Sequence, residues 1–129
     1  MQAVNLRSFR QKARLNKKKL RSFLRKIEKD IPRELDKLTT ALAPAVWKEV
    51  DCLTCANCCK TMSPTYTQTD IKRISKHFEV TPAEFTKKWL RKDRIGDILN
   101  KNEPCQFLDL KDNKCSIYEI RPADCAGFP

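Results

Sequence analysis

The side chains that could do chemistry in this 129-residue chain are seven cysteines: Cys52, Cys55, Cys58, Cys59, Cys105, Cys115 and Cys125. Four lie in one run, Cys52-Leu-Thr-Cys55-Ala-Asn-Cys58-Cys59. A two-residue spacer lets both thiolates of a pair reach one ion from a tight turn, the reason it recurs in zinc and iron–sulfur sites. Two such spacers are consecutive here, and Cys52, Cys55 and Cys58 match the first three positions of the bacterial ferredoxin run. The fourth position fails, because Cys59 follows at once. Adjacent side chains point in different directions, so Cys58 and Cys59 are expected to serve different irons, different ions, or one as ligand and one as spare. Cys105, Cys115 and Cys125 follow at ten-residue intervals. They must fold back on the first cluster to join it; taken alone, Cys115 reads equally well as a small buried hydrophobe.

Disulfides are the competing use of so many cysteines. The start, Met1-Gln2-Ala3-Val4-Asn5-Leu6-Arg7, has no apolar region of the secretory kind. Nothing approaches the ~18 consecutive apolar residues of a membrane span. The expected location is therefore the cytoplasm, where thiols stay reduced. Seven is also an odd number, which leaves a disulfide framework unclosed. Metal is the favoured reading: an iron–sulfur cluster slightly ahead, because every candidate donor is a thiolate, with zinc as the alternative.

Little else in the chain resembles catalytic machinery. His77 is the only histidine; it has no second histidine at zinc spacing and is expected on a helix surface. A Cys–His nucleophile pair is correspondingly weak. With only Gly96 and Gly127, a glycine-rich phosphate loop and the turn-rich barrels are excluded. No cofactor fingerprint or acid–base pair stands out, so whether the chain is an enzyme stays open.

The elements that must position the cysteines are mainly helical. Leu20, Leu24, Ile27 and Ile31 recur at helical steps, with Leu6, Phe9 and Ala13 extending the stripe. Pro32 interrupts it, and Asp30, Pro32 and Glu34 open a second helix through Leu35, Leu38 and Leu42, ended or kinked at Pro44. Capping boxes at Thr67–Asp70 and Thr81–Glu84 open helices over Ile71, Ile74 and Phe78, then Phe85, Trp89 and Leu90. Residues 91–102 give no assignment. Gln106–Leu110 and Cys115–Tyr118 alternate around Lys111-Asp112-Asn113-Lys114, a hairpin pattern. Trp47, Phe85, Trp89 and Phe107 stand at core spacings. The fold class is thus mainly α: a small cysteine-rich metal-binding domain with a short β-hairpin, residues 46–129, preceded by a basic helical arm, residues 1–45. Hydrophobic residues are 40% of the chain, a modest core that a metal would staple.

Charge sharpens that division. Residues 1–30 hold eleven of the 27 Lys and Arg against Glu28 and Asp30, so most of the net +11 belongs to the arm. Residues 7–29 could contact nucleic acid, an acidic protein or an anionic membrane. The competing reading is an amphipathic helix packed on the domain with a solvated basic face.

From Cys52 to Cys59, then Cys105-Gln106-Phe107-Leu108 and Cys115-Ser116-Ile117-Tyr118-Glu119-Ile120-Arg121-Pro122-Ala123-Asp124-Cys125-Ala126-Gly127-Phe128-Pro129, the sequence resembles the YkgJ-type cysteine-cluster family. The resemblance covers residues 50–129. It implies a small, mostly helical domain whose cysteines chelate zinc or iron, and a relation to the flagellin lysine methylases, where such a domain accompanies methylation of protein lysines. Members carry a further cysteine beyond the Arg121-Pro122 block, whereas this sequence runs to Pro129. Ala126 stands where many have arginine. Arg121 is expected either to offset thiolate charge or to cap beside Pro122.

Overall fold

The computed structural model describes residues 5–127; Met1–Val4, and Phe128 and Pro129 of the cysteine-rich block, lie outside the described residues. It divides into two compact units, one up to Cys55 and one from Ala56. Among the described residues are seven α-helices, one 3-10 turn and one two-stranded antiparallel sheet, a mainly α fold. None of these helices is long and apolar enough to cross a membrane.

The first unit is built by local rules. Helix α1, Leu6–Lys29, starts where the Asn5 side chain accepts from the Ser8 amide at 3.1 Å, and its last turn carries Lys26 and Lys29 against the negative end of the helix dipole. Helix α2, Leu35–Glu49, runs through Pro44. The proline was expected to end or kink this helix; it removes one amide donor, but the chain stays helical on both sides of it. No residue of α1 or α2 is buried. Trp47 is 38% exposed on α2, so it is not the core residue its spacing suggested. Helix α3, Cys52–Cys55, is a single turn. Asp51 opens it, accepting from the Leu53 amide at 3.0 Å, and its carbonyl receives the Thr54 hydroxyl.

The second unit has a core. After α4, Asn57–Thr61, the box at Thr67 and Asp70 opens α5, Gln68–His77, and the box at Thr81 and Glu84 opens α6, Pro82–Trp89, both as the sequence predicts. Ile71 and Ile74 from α5 and Phe85 from α6 are buried with Tyr66, Leu90, Phe107 and Ile117. Phe78, Phe85, Trp89 and Phe107 form an aromatic pile: Phe78 and Trp89 stack at 5.0 Å, and Phe85 and Phe107 lie parallel at 6.3 Å. Offset stacking of this kind adds about 1 kcal/mol per pair beyond area burial.

The hairpin is displaced from its predicted place. Strands β1, Leu90–Lys92, and β2, Ile98–Asn100, pair with Leu90 opposite Asn100 and Lys92 opposite Ile98. Apart from Leu90, which the helical pattern had taken in, they lie in the stretch to which periodicity assigns nothing. The turn between them is nucleated by Asp93, whose Oδ1 accepts from the amides of Ile95, Gly96 and Asp97, each at 2.9 Å. Gly96 takes φ of 101°, a region that side chains avoid. At residues 106–118 the alternating pattern yields only one bridge, between Leu108 and Cys115, with Asn113 left-handed in the turn. Helix α7, Ala123–Gly127, follows a 3-10 turn over Tyr118–Ile120.

Candidate metal centre

Four cysteines converge on one pocket. Cys58, Cys59, Cys105 and Cys125 line a cavity of about 70 Å³ together with Met62, Ser63, Pro64 and Asp124. They come from three separate segments, so the chain must be folded before they meet. Helix α4 supplies Cys58 and Cys59. It opens after Ala56, whose φ of 45° breaks the helical path between α3 and α4. The Cys105 amide donates to the Cys59 carbonyl at 2.8 Å, tying the loop of residues 101–105 to α4. Helix α7 brings Cys125.

Placement of α7 depends on two residues of α5. Asp70 is 3% exposed. Its Oδ2 accepts from the Thr67 amide and hydroxyl, while its Oδ1 accepts from Arg73 and from the Ala123 amide at 3.1 Å. Arg73 then donates to the carbonyls of Ile120 at 2.7 Å and Arg121 at 2.9 Å. The first residue of α7 and the turn before it are therefore held by an ion pair rooted in α5. Burial raises the cost of charging Asp70, but the bonds from Thr67, Ala123 and Arg73 outweigh it and hold the carboxyl below the usual range. The other side of α7 is fixed by Asp124, which accepts from the Thr65 amide at 2.9 Å. Sequence reading found Asp70 only as a helix cap; its second oxygen serves a partner 53 residues away, and no local pattern marks such a bond.

A second buried network runs beside the cysteines. Tyr66 donates to Asn100 Oδ1 at 2.6 Å, and Gln106 donates to the same oxygen and to the Trp89 carbonyl, both at 3.0 Å. Ser63, on the pocket wall, accepts from the Asn100 amide at 2.8 Å. Burial first, then the negative charge of Cys105, Cys125 and Cys115, pushes the Tyr66 phenol up.

The thiols are electrostatically linked. The mutual contact of Cys58 and Cys59 pushes the Cys58 thiol down and, with burial, the Cys59 thiol up. Both side chains line the same pocket. Burial, then the charges of Cys105, Cys58 and Cys115, pushes Cys125 up to about 12. Such mutual repulsion is what a cation relieves: thiolates that resist charging together are stabilised once they share a positive ion. The donor set therefore fits a thiophilic metal, although among the described residues no three His, Cys, Asp or Glu side chains already stand in ligating arrangement.

The remaining sequence candidates fall as follows. Cys115 stands on the bridge to Leu108, within electrostatic reach of Cys59 and Cys125. Cys52 and Cys55 are the first and last residues of α3, three apart and so on one side of that turn. All seven cysteines are half-buried. His77 is exposed at the end of α5, its ring edge-on to Phe78 at 5.4 Å. Arg121 stacks over the Tyr118 ring at 4.0 Å and donates to the Tyr118 carbonyl at 2.6 Å, the local role rather than the thiolate-facing one.

Comparison with known proteins accords with this geometry. A family with the description "Putative zinc- or iron-chelating domain", named for its CxxCxxCC motif, matches residues 51–129. An uncharacterized protein of Methanocaldococcus jannaschii is 34% identical over 80 residues, covering 60% of this chain and 43% of the relative. The chain thus spans under half the length of that curated relative. No solved structure matches. With its cysteine run and its later Cys-x-Ile-Tyr and Arg-Pro blocks all inside the matched span, the chain belongs to the CxxCxxCC family of zinc- or iron-chelating domains.

Proposed function

We propose that the chain chelates its metal at the pocket lined by Cys58, Cys59, Cys105 and Cys125, with Cys115 as a further thiolate donor there, and that Cys52 and Cys55 are metal-binding thiolates as well. The observation that carries this reading is the convergence of four cysteines from three segments on one cavity. An iron–sulfur cluster is the favoured occupant. Every candidate donor is sulfur, the seven exceed what one tetrahedral ion uses, and Cys52, Cys55 and Cys58 keep ferredoxin spacing. Zinc is the second reading, favoured by one observation: the pocket wall offers four thiols, the complement of a closed structural zinc site. Either group would supply folding free energy, because its ligands are scattered in the unfolded chain. Ligation needs thiols kept reduced, which fits a cytoplasmic protein.

The test is anaerobic purification of the chain and of a Cys59→Ser, Cys125→Ser double variant, with an absorbance spectrum and metal analysis on each sample. Brown absorbance with iron and acid-labile sulfide in the parent, lost in the variant, establishes the cluster. Stoichiometric zinc without a visible band, again lost in the variant, establishes the second reading. Equal metal content in parent and variant overturns the assignment of the pocket.

A further inference from the structure

Helix α1 carries a surface that the metal site does not use. Within it, Leu6, Phe9, Ala13, Leu20, Phe23, Leu24 and Ile27 fall on one side of a 3.6-residue wheel, with Asn16 among them. The larger side chains stand out in solvent: Phe9 is 58% exposed, Leu20 52%, Phe23 57% and Leu24 61%. The rest of the wheel holds all eleven Lys and Arg of the helix against the single acid Glu28, with Leu15 the one apolar residue on that side.

Two occupants of the stripe fit poorly. The positions Leu6, Phe9, Ala13, Asn16, Leu20, Phe23 and Ile27 alternate in steps of three and four, as in a coiled-coil seam. A second copy of α1 would therefore be the natural mate. Beside that seam, however, lie Arg10, Lys17, Lys12, Lys19 and Lys26, all basic. Pairing with a copy, parallel or antiparallel, sets like charges against each other along most of the contact, Leu24 being the one apolar flank. A nucleic acid would satisfy the charge but leave the phenyl and leucyl side chains in water.

We propose that α1 binds an anionic lipid bilayer surface, lying in the interface with its Phe/Leu stripe among the acyl chains. A long helix of low overall hydrophobicity, with Lys and Arg over its polar face and Phe and Leu opposite, has the composition of interfacial helices. Lys12 and Lys17 border the stripe, where their methylene stems can follow the apolar surface while the ammonium groups reach lipid phosphates. The basic face matches the negative potential of a phosphatidylserine-containing leaflet. The helix would thereby hold the chain at a membrane surface.

Vesicle sedimentation of the metal-loaded chain as purified tests this. The probes are vesicles of phosphatidylcholine with about one third phosphatidylserine, and vesicles of phosphatidylcholine alone. The chain is expected to pellet with the anionic vesicles at least about tenfold better than with the neutral ones. Replacing Phe23→Ser and Leu24→Ser should weaken binding by roughly tenfold or more, and Lys17→Gln with Lys18→Gln and Lys19→Gln should weaken it on anionic vesicles only. Circular dichroism and metal content, unchanged in both variants, separate these losses from unfolding and from failure of the metal assignment. No pelleting with anionic vesicles overturns the proposal. So does pelleting that the Phe23→Ser, Leu24→Ser variant retains, which would mark a purely electrostatic polyanion site of the nucleic-acid kind. So does a concentration-dependent dimer that the same variant abolishes, which would give the stripe to a second copy.

Discussion

The residues up to Cys55 are almost all helical, those from Ala56 mix short helices with turns and a hairpin, and the two parts are held by different interactions. In α1 and α2 the side-chain hydrogen bonds reach no further than four residues: Asn5 to Ser8, Asn16 to Lys12, Thr39 and Thr40 to Asp36. Nothing in either helix is buried. From Ala56 onward, bonds join Asp70 to Ala123, Arg73 to Ile120 and Tyr66 to Asn100, around a core that includes the fully buried Phe85 and Ile74. The difference teaches where cooperativity resides. A helix made of local bonds frays residue by residue, whereas scattered ligands can be held together only where long-range contacts fix the chain.

The sharpest way to break this contrast is at Phe85. Its side chain is 0% exposed and sits against Phe78, Trp89 and Phe107. Phe85→Ala should cost about 3–5 kcal/mol by transfer and cavity terms together. The measurement is denaturant unfolding followed by near-ultraviolet dichroism, which reports the aromatic pile, alongside hydrogen exchange of α1 amides. A large shift in the first with no change in the second is expected. Equal loosening of α1 would mean that the two units unfold as one.

A smaller effect, with a pH signature, is expected at Asp70. Asp70→Asn removes the charge that Arg73 and the amides of Thr67 and Ala123 address. Losing hydrogen bonds to an ionised partner should cost about 2 kcal/mol at neutral pH. Because the folded-state pKa lies below the unfolded value of about 3.9, the charged form is the one folding stabilises. This contribution is full above the unfolded pKa and is lost as pH falls through the folded one. Parent stability should therefore drop below about pH 4, and the variant, already without the charge, should show a shallower acid limb in urea titrations between neutral and acid pH. Parallel limbs in the two proteins would remove Asp70 from the account of how α7 and Cys125 are placed.

How much of this was legible in the sequence follows the same division. Local chemistry was readable: both capping boxes, the amphipathic period of α1, the turn-forming cysteine run and the exposed place of His77 all came from neighbours along the chain. The hairpin of β1 and β2 was not. Its strands are three residues each, too short for a period to show, although Asp93 and Gly96 were a turn signal. The hairpin expected at residues 106–118 kept its turn but not its ladder, since a single bridge suffices to bring Cys115 back beside Leu108. Periodicity also marked Trp47 as core because it measures amphipathicity, not the presence of something to pack against. In the site, spacing named the cysteines but could not say which would share a pocket. That grouping depends on Asp70, Arg73 and the Cys105–Cys59 backbone bond, all of them contacts between distant segments.

The smallest effect is expected at the start of α1, and it tests the local half of the contrast. Asn5 is an exposed cap whose oxygen takes one amide, that of Ser8. Asn5→Ala should cost the helix about 1 kcal/mol. In a cooperative domain a loss of that size would displace the whole unfolding transition by several degrees. In α1 it should appear only as fraying of the first turns: faster exchange of the amides of residues 6–9, a slight fall in helical ellipticity, and no movement of the near-ultraviolet transition. A displaced transition would show that α1 is cooperative with the aromatic core, and that its stability comes from contacts well beyond its own turns.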